Sequence, residues 1–339
     1  MNRRNLVKTC ALAIVGITLG YSAMAQSKTE GLRVGIIGLD TSHSIAFTKA
    51  LNDPNAGETF GNYKVVAAYP QGSLDIKSSV DRIEEYTEEI KKLDVEIVHS
   101  IEELLTKVDV VLLETNDGRR HLEQALPVLK AGKRMFIDKP MTASLTDAMV
   151  IFKAAKHYKV PIFSASSLRY IKGMDEIKKG SVGIVLGAEA YSPCTLEGTH
   201  PDFFWYGIHG VETLFTAMGT GCKTVVRVTT PDTDMAIGTW DNGRIGSFRG
   251  LRAGKSNYGG TIFGENAIAT LGSYNGYNPL LAEIIKYFQT GIVPVQPEET
   301  LEILAFMEAA DLSKKKGGVP VSIDEVMKKA QKQSLKVKF

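Results

Sequence analysis

The sequence predicts an α/β fold in two parts: a doubly wound parallel sheet, then an α+β domain with an open, mostly antiparallel sheet and carboxyl-terminal helices. Three observations predict it. Short apolar runs alternate with helix-patterned segments from residue 33 to 165, the signature of βαβ units. Near residue 180 the pattern turns into strand after strand joined by turns. The 339 residues, 44% hydrophobic and 23% charged, suffice for two separate cores. The expected division is 1–25 signal, 26–32 linker, 33–165 nucleotide-binding-like domain and 166–339 second domain.

The elements follow in order. Arg33–Gly38 is a short, mostly apolar run ending on a glycine, as a buried parallel strand does. Ser44–Leu51 is helical, Tyr63–Tyr69 a second strand, Asp81–Lys92 a charged helix and Val95–His99 a strand. Ser100 with Glu103 is a capping-box start for a further helix. Val108–Glu114 is a strand, Arg120–Ala131 a helix closed by Gly132, and Arg134–Ile137 a strand. The helix Ser144–Tyr158 and the strand Pro161–Ser164 complete the alternation. Beyond it, Ile184–Tyr191, Thr224–Thr229, Met235–Trp240, Arg244–Gly250 and Thr261–Leu271 read as antiparallel strands, with Asp241-Asn242-Gly243 as a turn. One helix, Tyr206–Met218, interrupts them; others return at Leu280–Gln289, Glu298–Lys314 and Ile323–Lys332.

The net charge of +2 includes Arg3, Arg4 and Lys8, so the rest of the chain is close to neutral. That argues against nucleic acid, whose binding needs many phosphate-neutralising cations. Residues 1–25 read as a secretory signal: Arg3-Arg4, the apolar stretch Cys10–Gly20, and the small-x-small site Ala23-Met24-Ala25 before Gln26. The stretch is short for a transmembrane helix and no stop-transfer pattern follows, so no membrane anchor is expected after cleavage. Arg3-Arg4-Asn5-Leu6-Val7-Lys8 also resembles the twin-arginine export motif of bacteria, a route for folded proteins, with an ordinary secretory signal as the other reading. A periplasmic or otherwise exported protein is expected. Cys10 leaves with the signal, and Cys194 and Cys222 are read as buried thiols rather than a pair.

The turn Gly38-Leu39-Asp40-Thr41-Ser42-His43 occupies the register of a G-x-G-x-x-G dinucleotide fingerprint. Only Gly38 of the three glycines is present. Asp40 stands where backbone approaches a pyrophosphate, and His43 where helix and strand pack closely. The helix amino terminus still offers N–H groups, and Thr41 and Ser42 offer hydroxyls. Asp40 reads either as a helix cap or, with His43, as a direct ligand contact. The second strand ends Ala68-Tyr69-Pro70-Gln71-Gly72-Ser73, without the acid that dinucleotide sites place on the ribose.

Three later stretches carry a family resemblance: Val108–Asn116 leading to His121 and Leu129-Lys130-Ala131-Gly132-Lys133; Asp138-Lys139-Pro140 after a strand; and Trp205-Tyr206-Gly207-Ile208-His209-Gly210-Val211-Glu212 opening a helix. In their order and spacing, and in Pro297-Glu298-Glu299 and Gly317-Gly318-Val319-Pro320-Val321 near the end, the chain resembles the glucose–fructose oxidoreductase / inositol dehydrogenase / rhizopine-catabolism (Gfo/Idh/MocA) family. The resemblance implies a Rossmann-like domain and an open sheet used for substrate and for homo-oligomer contacts. It implies NAD or NADP in a cleft bordered by Gly38, Asp40, Thr41, Ser42, His43, Thr115, Asn116, His121, Asp138 and Lys139; the expected export in turn requires the protein to keep its cofactor bound, since free dinucleotide is not expected outside the cytoplasm. The family's Glu-Lys-Pro motif matches Asp138-Lys139-Pro140 and makes Lys139 the active-site lysine. Its Asp-x-x-x-His motif matches Trp205 to His209, so His209 is retained and its aspartate partner is missing.

Chemistry supports the same pair. Oxidising a secondary alcohol needs a base for the hydroxyl proton, and an imidazole is suited to that task near neutral pH. A nearby ammonium steadies the alkoxide and disfavours the imidazolium. The alternative for Lys139 is a solvated loop lysine, and for His209 a hydrogen bond to Glu212. Trp205 and Tyr206 read as sugar-stacking residues or as core, and Arg169 as a carboxylate or phosphate clamp or an ion-pair partner. His121 reads as packing or capping more than chemistry. His200 near Asp202 matches no zinc spacing, and no metal is expected. The expected function is hydride transfer at a secondary alcohol of a sugar, sugar acid or polyol, a small-molecule carbohydrate. The alternative is a carbohydrate-binding protein that has lost the dinucleotide. Amino-terminal sequencing of the exported protein is expected to read from Gln26; a mature chain still starting at Met1 would refute the cleavage.

Overall fold

The computed structural model describes residues 31–56 and 59–339. The expected signal at 1–25 and most of the linker lie outside the described residues.

Strands β1 (Arg33–Ile37), β2 (Lys64–Tyr69), β3 (Glu96–Ile97), β4 (Val110–Leu113), β5 (Arg134–Ile137) and β6 (Ile162–Ser164) form one parallel sheet in the order β3-β2-β1-β4-β5-β6. Every residue of β4 is buried, which is why that strand reads as a continuous apolar run. The connecting helices are α1 (Ser42–Asn52), α2 (Lys77–Lys91), α3 (Ile101–Lys107), α4 (His121–Lys130) and α5 (Leu145–Tyr158). Ser100 and Ser144 cap α3 and α5 by accepting from the N–H groups of Glu103 and Asp147 at 3.0 and 3.1 Å. The chain winds outward from β1 to β3, then returns to β4 on the other side of β1. That reversal opens a crevice beyond the carboxyl ends of β1 and β4.

The second sheet contains β7 (Val185–Pro193), β8 (Cys222–Thr229), β9 (Thr233–Trp240), β10 (Ile245–Leu251), β11 (Gly259–Gly264), β12 (Ile268–Leu271) and β13 (Val321–Ser322). Its order is β12-β11-β7-β10-β9-β8-β13. The sheet is mixed: β10 runs parallel to β7 and every other pair is antiparallel. The cause is the connection after β7. It crosses over through α7 (Ile208–Met218) to β8, and the β8-β9-β10 meander then lays β10 beside β7 in the same sense. The expected single strand Thr261–Leu271 is a hairpin, β11 and β12, whose turn donates from Glu265 and Asn266 N–H to the carbonyls of Ile184 and Val182. Cys194 and Cys222 are free and buried.

The remaining helices are α6 (Met174–Lys178), α8 (Asn278–Thr290), α9 (Pro297–Lys315) and α10 (Ile323–Ser334). The expected boundary at 165/166 describes the chain order but not the packing. Leu280, Leu281, Ile284, Ile285, Tyr287 and Phe288 of α8 share a core with Val34, Ile36, Val65 and Phe136 of the first sheet. An apolar face of α8 repeating every three to four residues has no other surface to bury against.

Helix α7 lies on the second sheet with Gly210 at the closest approach. A Cβ there would run into the ring of Phe248 on β10, and it would also touch Ser192 on β7. Gly210→Ala is therefore expected to lower stability by up to about 2 kcal/mol in urea unfolding, overpacking of about 1–3 kcal/mol set against a helix-propensity gain of about 1 kcal/mol. A variant as stable as the wild type would show that the helix can lift off the sheet freely.

Candidate functional site

The carboxyl ends of the first sheet face the amino end of α7 across a cleft of about 470 Å³. Thr41, Ser42, His43, Asn116 and Lys139 line it from the first domain, and Trp205, Tyr206 and His209 from the second. The cleft therefore gathers eight of the residues expected at a site. A larger groove of about 550 Å³, lined by Met149, Phe152 and Leu301 between α5 and α9, contains none of them.

The floor is built by Asp40. Its side chain is fully buried and turns under the loop, away from the cleft. The carboxylate accepts from the N–H of Ser73 at 2.8 Å and of Asn116 at 2.9 Å, joining the loops after β1, β2 and β4. Gly72 is required there, since a Cβ would strike that carboxylate. Burial raises the Asp40 pKa to about 6 even against these two donors. Asp40 thus does not cap α1, which corrects that expectation, and it is not among the residues that line the cleft. Gly38, at φ +88°, makes the tight turn and presses on the backbone of Thr115.

Helix α1 begins at Thr41 without a side-chain cap, and the Thr41 hydroxyl is buried with no hydrogen-bond partner. An uncapped amino terminus beside an unused hydroxyl suits an anionic group. The Ser42 hydroxyl meets that of Tyr277 at 3.0 Å. These residues, with Asn116, fit the diphosphate of a dinucleotide although two fingerprint glycines are replaced.

His43 enters the space between strand ends. Its Nδ1 lies 2.9 Å from Asp138 Oδ1 and 3.7 Å from Glu114 Oε2, and its ring packs against Tyr277 at 4.5 Å. Burial opposes charge on the ring, but Asp138 and Glu114 overcome it and raise the His43 pKa to about 10. Burial raises the Glu114 carboxyl to about 7, whereas Asp138, facing His43 and Lys139, is held well below the usual range despite its burial. Asp138 itself does not line the cleft. Lys139 does, with Nζ 3.5 Å from Asp138 Oδ2, and its bond to Pro140 is cis.

Across the cleft, His209 is buried on the first turn of α7. Its Nδ1 pairs with the Ser166 hydroxyl at 2.7 Å, and not with Glu212. Ser166 also accepts from Leu168 N–H at 3.1 Å, which fixes its position. The partner of His209 is thus a serine from the domain junction. Burial, then the nearby Lys139 and His43 charges, hold the His209 pKa well below 6.5 despite an opposing pull from Asp138, so the imidazole is neutral at neutral pH. Tyr206 and Tyr258 stand edge-on to His209 at 5.4 and 5.8 Å. Trp205 rests on His200, which pairs with Asp117 at 3.3 Å and so fastens this loop to the first domain.

Other expected site residues lie elsewhere. Arg169 is outside the cleft, paired with Glu212 at 2.8 Å and Glu299 at 2.5 Å, so it serves as an internal ion pair and not as a substrate clamp. His121 is fully buried, its ring nitrogens 2.6 and 2.9 Å from the carbonyls of Thr115 and Met141, and it packs two loops together. Thr115 is buried behind Gly38. Asp202 binds Arg227 and Lys314, not His200. Residues that sequence reasoning missed include Ser166, Glu114, Tyr258, Tyr274 and Tyr277; the Tyr274 hydroxyl is buried without a partner in the cleft wall. The one available signal was aromatic density, as Tyr258, Tyr274 and Tyr277 fall within twenty residues of sequence.

Residues 32–166 match the Gfo/Idh/MocA oxidoreductase family, described by an NAD-binding Rossmann fold. The NADP(+)-dependent scyllo-inositol 2-dehydrogenase of Bacillus subtilis is 31% identical over 97 residues, about a quarter (27%) of each chain. Among solved structures, a scyllo-inositol dehydrogenase from Lactobacillus casei, with NAD(H) and scyllo-inositol bound, has a TM-score of 0.67 at 14% identity. That likeness covers 87% of this chain and 100% of the other. A UDP-N-acetylglucosamine 3-dehydrogenase from Acidithiobacillus ferrooxidans has a TM-score of 0.67 at 15% identity, over 84% and 99% of the two chains. At these identities the structural likeness is one of fold.

Asp40→Ala leaves two backbone N–H groups buried without an acceptor. It is expected to cost about 2–4 kcal/mol in denaturant unfolding and to raise amide exchange at Ser73 and Asn116. Unchanged protection at both amides would show that the loops hold together without the carboxylate.

Proposed function

We propose that the chain, whose residues 32–166 match the Gfo/Idh/MocA oxidoreductase family, is an exported NAD(P)-dependent enzyme acting on a secondary alcohol of a sugar, sugar acid or polyol, with its cofactor retained. The observation that carries this reading is the neutral, buried His209, oriented by Ser166 and facing the same cleft as Lys139. A bound nicotinamide dinucleotide supplies the hydride acceptor or donor; Thr41, Ser42 and Asn116 are the residues suited to hold it.

With Nδ1–H donated to Ser166, His209 presents a lone pair on Nε2 to the cleft. It takes the proton of the substrate hydroxyl, and returns it in the reverse direction. The Lys139 ammonium, set on the carboxyl end of β5 and countered by Asp138, stabilises the alkoxide as it forms. Trp205, Tyr206 and Tyr258 offer ring faces to the apolar side of a sugar, and the unpartnered Tyr274 hydroxyl offers a hydrogen bond to one of its oxygens. The outer face of the second sheet exposes Leu186, Ile237 and Ile245, which supports a homo-oligomer.

The test is to denature the purified exported protein and assay the supernatant for NAD(H) and NADP(H) by mass spectrometry. Stoichiometric dinucleotide is expected. None released, and none bound on addition, would leave the non-redox carbohydrate-binding reading. His209→Ala is expected to lower kcat/KM by about 10²–10⁴-fold, and Ser166→Ala by less, with folding intact. Because His209 loses its charge far below its ordinary range, kcat/KM should stay level as pH falls through 6.5 and drop only below it. Glu114, at about 7, titrates in the same range, so an acid limb at or above 6.5 that persists in Glu114→Gln would remove His209 from the role of base.

A further inference from the structure

We propose that His43, Glu114 and Asp138 form a binding site for one divalent transition-metal ion of the Mn²⁺–Zn²⁺ group. The three side chains come from three adjacent strand ends: His43 from the first turn after β1, Glu114 directly after β4 and Asp138 directly after β5. One ligand atom from each lies within 4.8 Å of the other two. His43 Nδ1 is 2.9 Å from Asp138 Oδ1 and 3.7 Å from Glu114 Oε2. Nitrogen and oxygen donors held at about 2.0–2.2 Å from such an ion stand about 3–3.5 Å apart, between these two separations.

A second observation is independent of the spacing. His43 Nδ1, both Glu114 oxygens and both Asp138 oxygens are buried and have no hydrogen-bond partner. The 2.9 Å approach of His43 to Asp138 is close enough for an ion pair but off the line of a hydrogen bond. Other buried acids of the chain are served: Asp40 by two N–H groups, Asp117 by Arg119 and Glu212 by Arg169. Among the described residues, Glu114 has neither an N–H donor nor a cationic side chain in contact beyond the His43 ring. Without metal the protonated His43 ring is the cation beside these carboxylates; a bound ion takes its place and releases the Nδ1 proton. Lys139 approaches the other oxygen of Asp138 at 3.5 Å, leaving Oδ1 on the His43 side.

One imidazole and two carboxylates favour Mn²⁺, Fe²⁺, Co²⁺ or Zn²⁺ over Ca²⁺ or Cu⁺. Three protein ligands leave a position for an outside ligand. His43 lines the cleft, so that position belongs to water or to a ligand hydroxyl. The site shares the cleft of the proposed function, and Asp138 also counters Lys139, but its test uses neither dinucleotide nor sugar.

The chelator-stripped mature protein is titrated with Mn²⁺, followed by electron paramagnetic resonance, and with Zn²⁺ in competition. One ion per chain is expected. Glu114→Gln should bind at least about tenfold more weakly, with thermal unfolding of the metal-free protein little changed. Bound Mn²⁺ should show spin-echo modulation from a single imidazole nitrogen, lost in His43→Gln. No saturable binding of either ion by the wild type, undiminished binding by Glu114→Gln, or absence of nitrogen modulation would each overturn the site. If Glu114→Gln does not fold, the nitrogen signal of the wild type decides.

Discussion

Two N–H groups from separate loops converge on the buried carboxylate of Asp40, and the shape of the crevice rests on that convergence. A carboxylate can satisfy several donors at once, and inside a protein each such bond is strong because water does not compete. Here it draws the ends of β2 and β4 toward the turn after β1 at the point where the strand order reverses. His43, three residues on, then points at Glu114 and Asp138, and Lys139 follows directly on Asp138. One of the two side chains that break the glycine fingerprint therefore holds the altered loop in place.

The facing half of the site is held from several directions. His200 pairs with Asp117, Tyr277 meets Ser42, and Ser166 at the junction takes Nδ1 of His209. Arg169, buried between Glu212 and Glu299, ties α7 and α9 to the same junction. Asp117 keeps its charge in spite of burial because His200 and Arg119 hold it well below the usual carboxylate range. Apart from the Asp117–Arg119 pair, each of these contacts crosses between segments distant in sequence.

The alternation of strands and helices was legible along the first domain because buried parallel strands are continuous apolar runs and Ser100 carries a cap signal. Lys139 and His209 were legible through motif and chemistry. Ser166 was not, since a serine in a short junction resembles any other polar residue until the fold brings it to His209. Nor did any pattern place Glu114, which reads as the last residue of an apolar strand. The parallel pairing of β7 with β10 was hidden because strand alternation reports burial and not direction. Arg169 shows the reverse error: an arginine near a domain junction suggested a ligand, and the two glutamates that neutralise it lie 43 and 130 residues away.

Helix α8 is translated long after the sheet it covers. Until it leaves the ribosome, Val34, Ile36 and Val65 have an open face, and a nascent chain stopped before residue 278 carries that face uncovered. Completion of the amino-terminal half is thus coupled to synthesis of nearly the whole polypeptide. Prematurely terminated products would be left sticky and open to chaperones and proteases, while Tyr277, arriving with the helix, reaches the cleft only in chains that have passed this checkpoint.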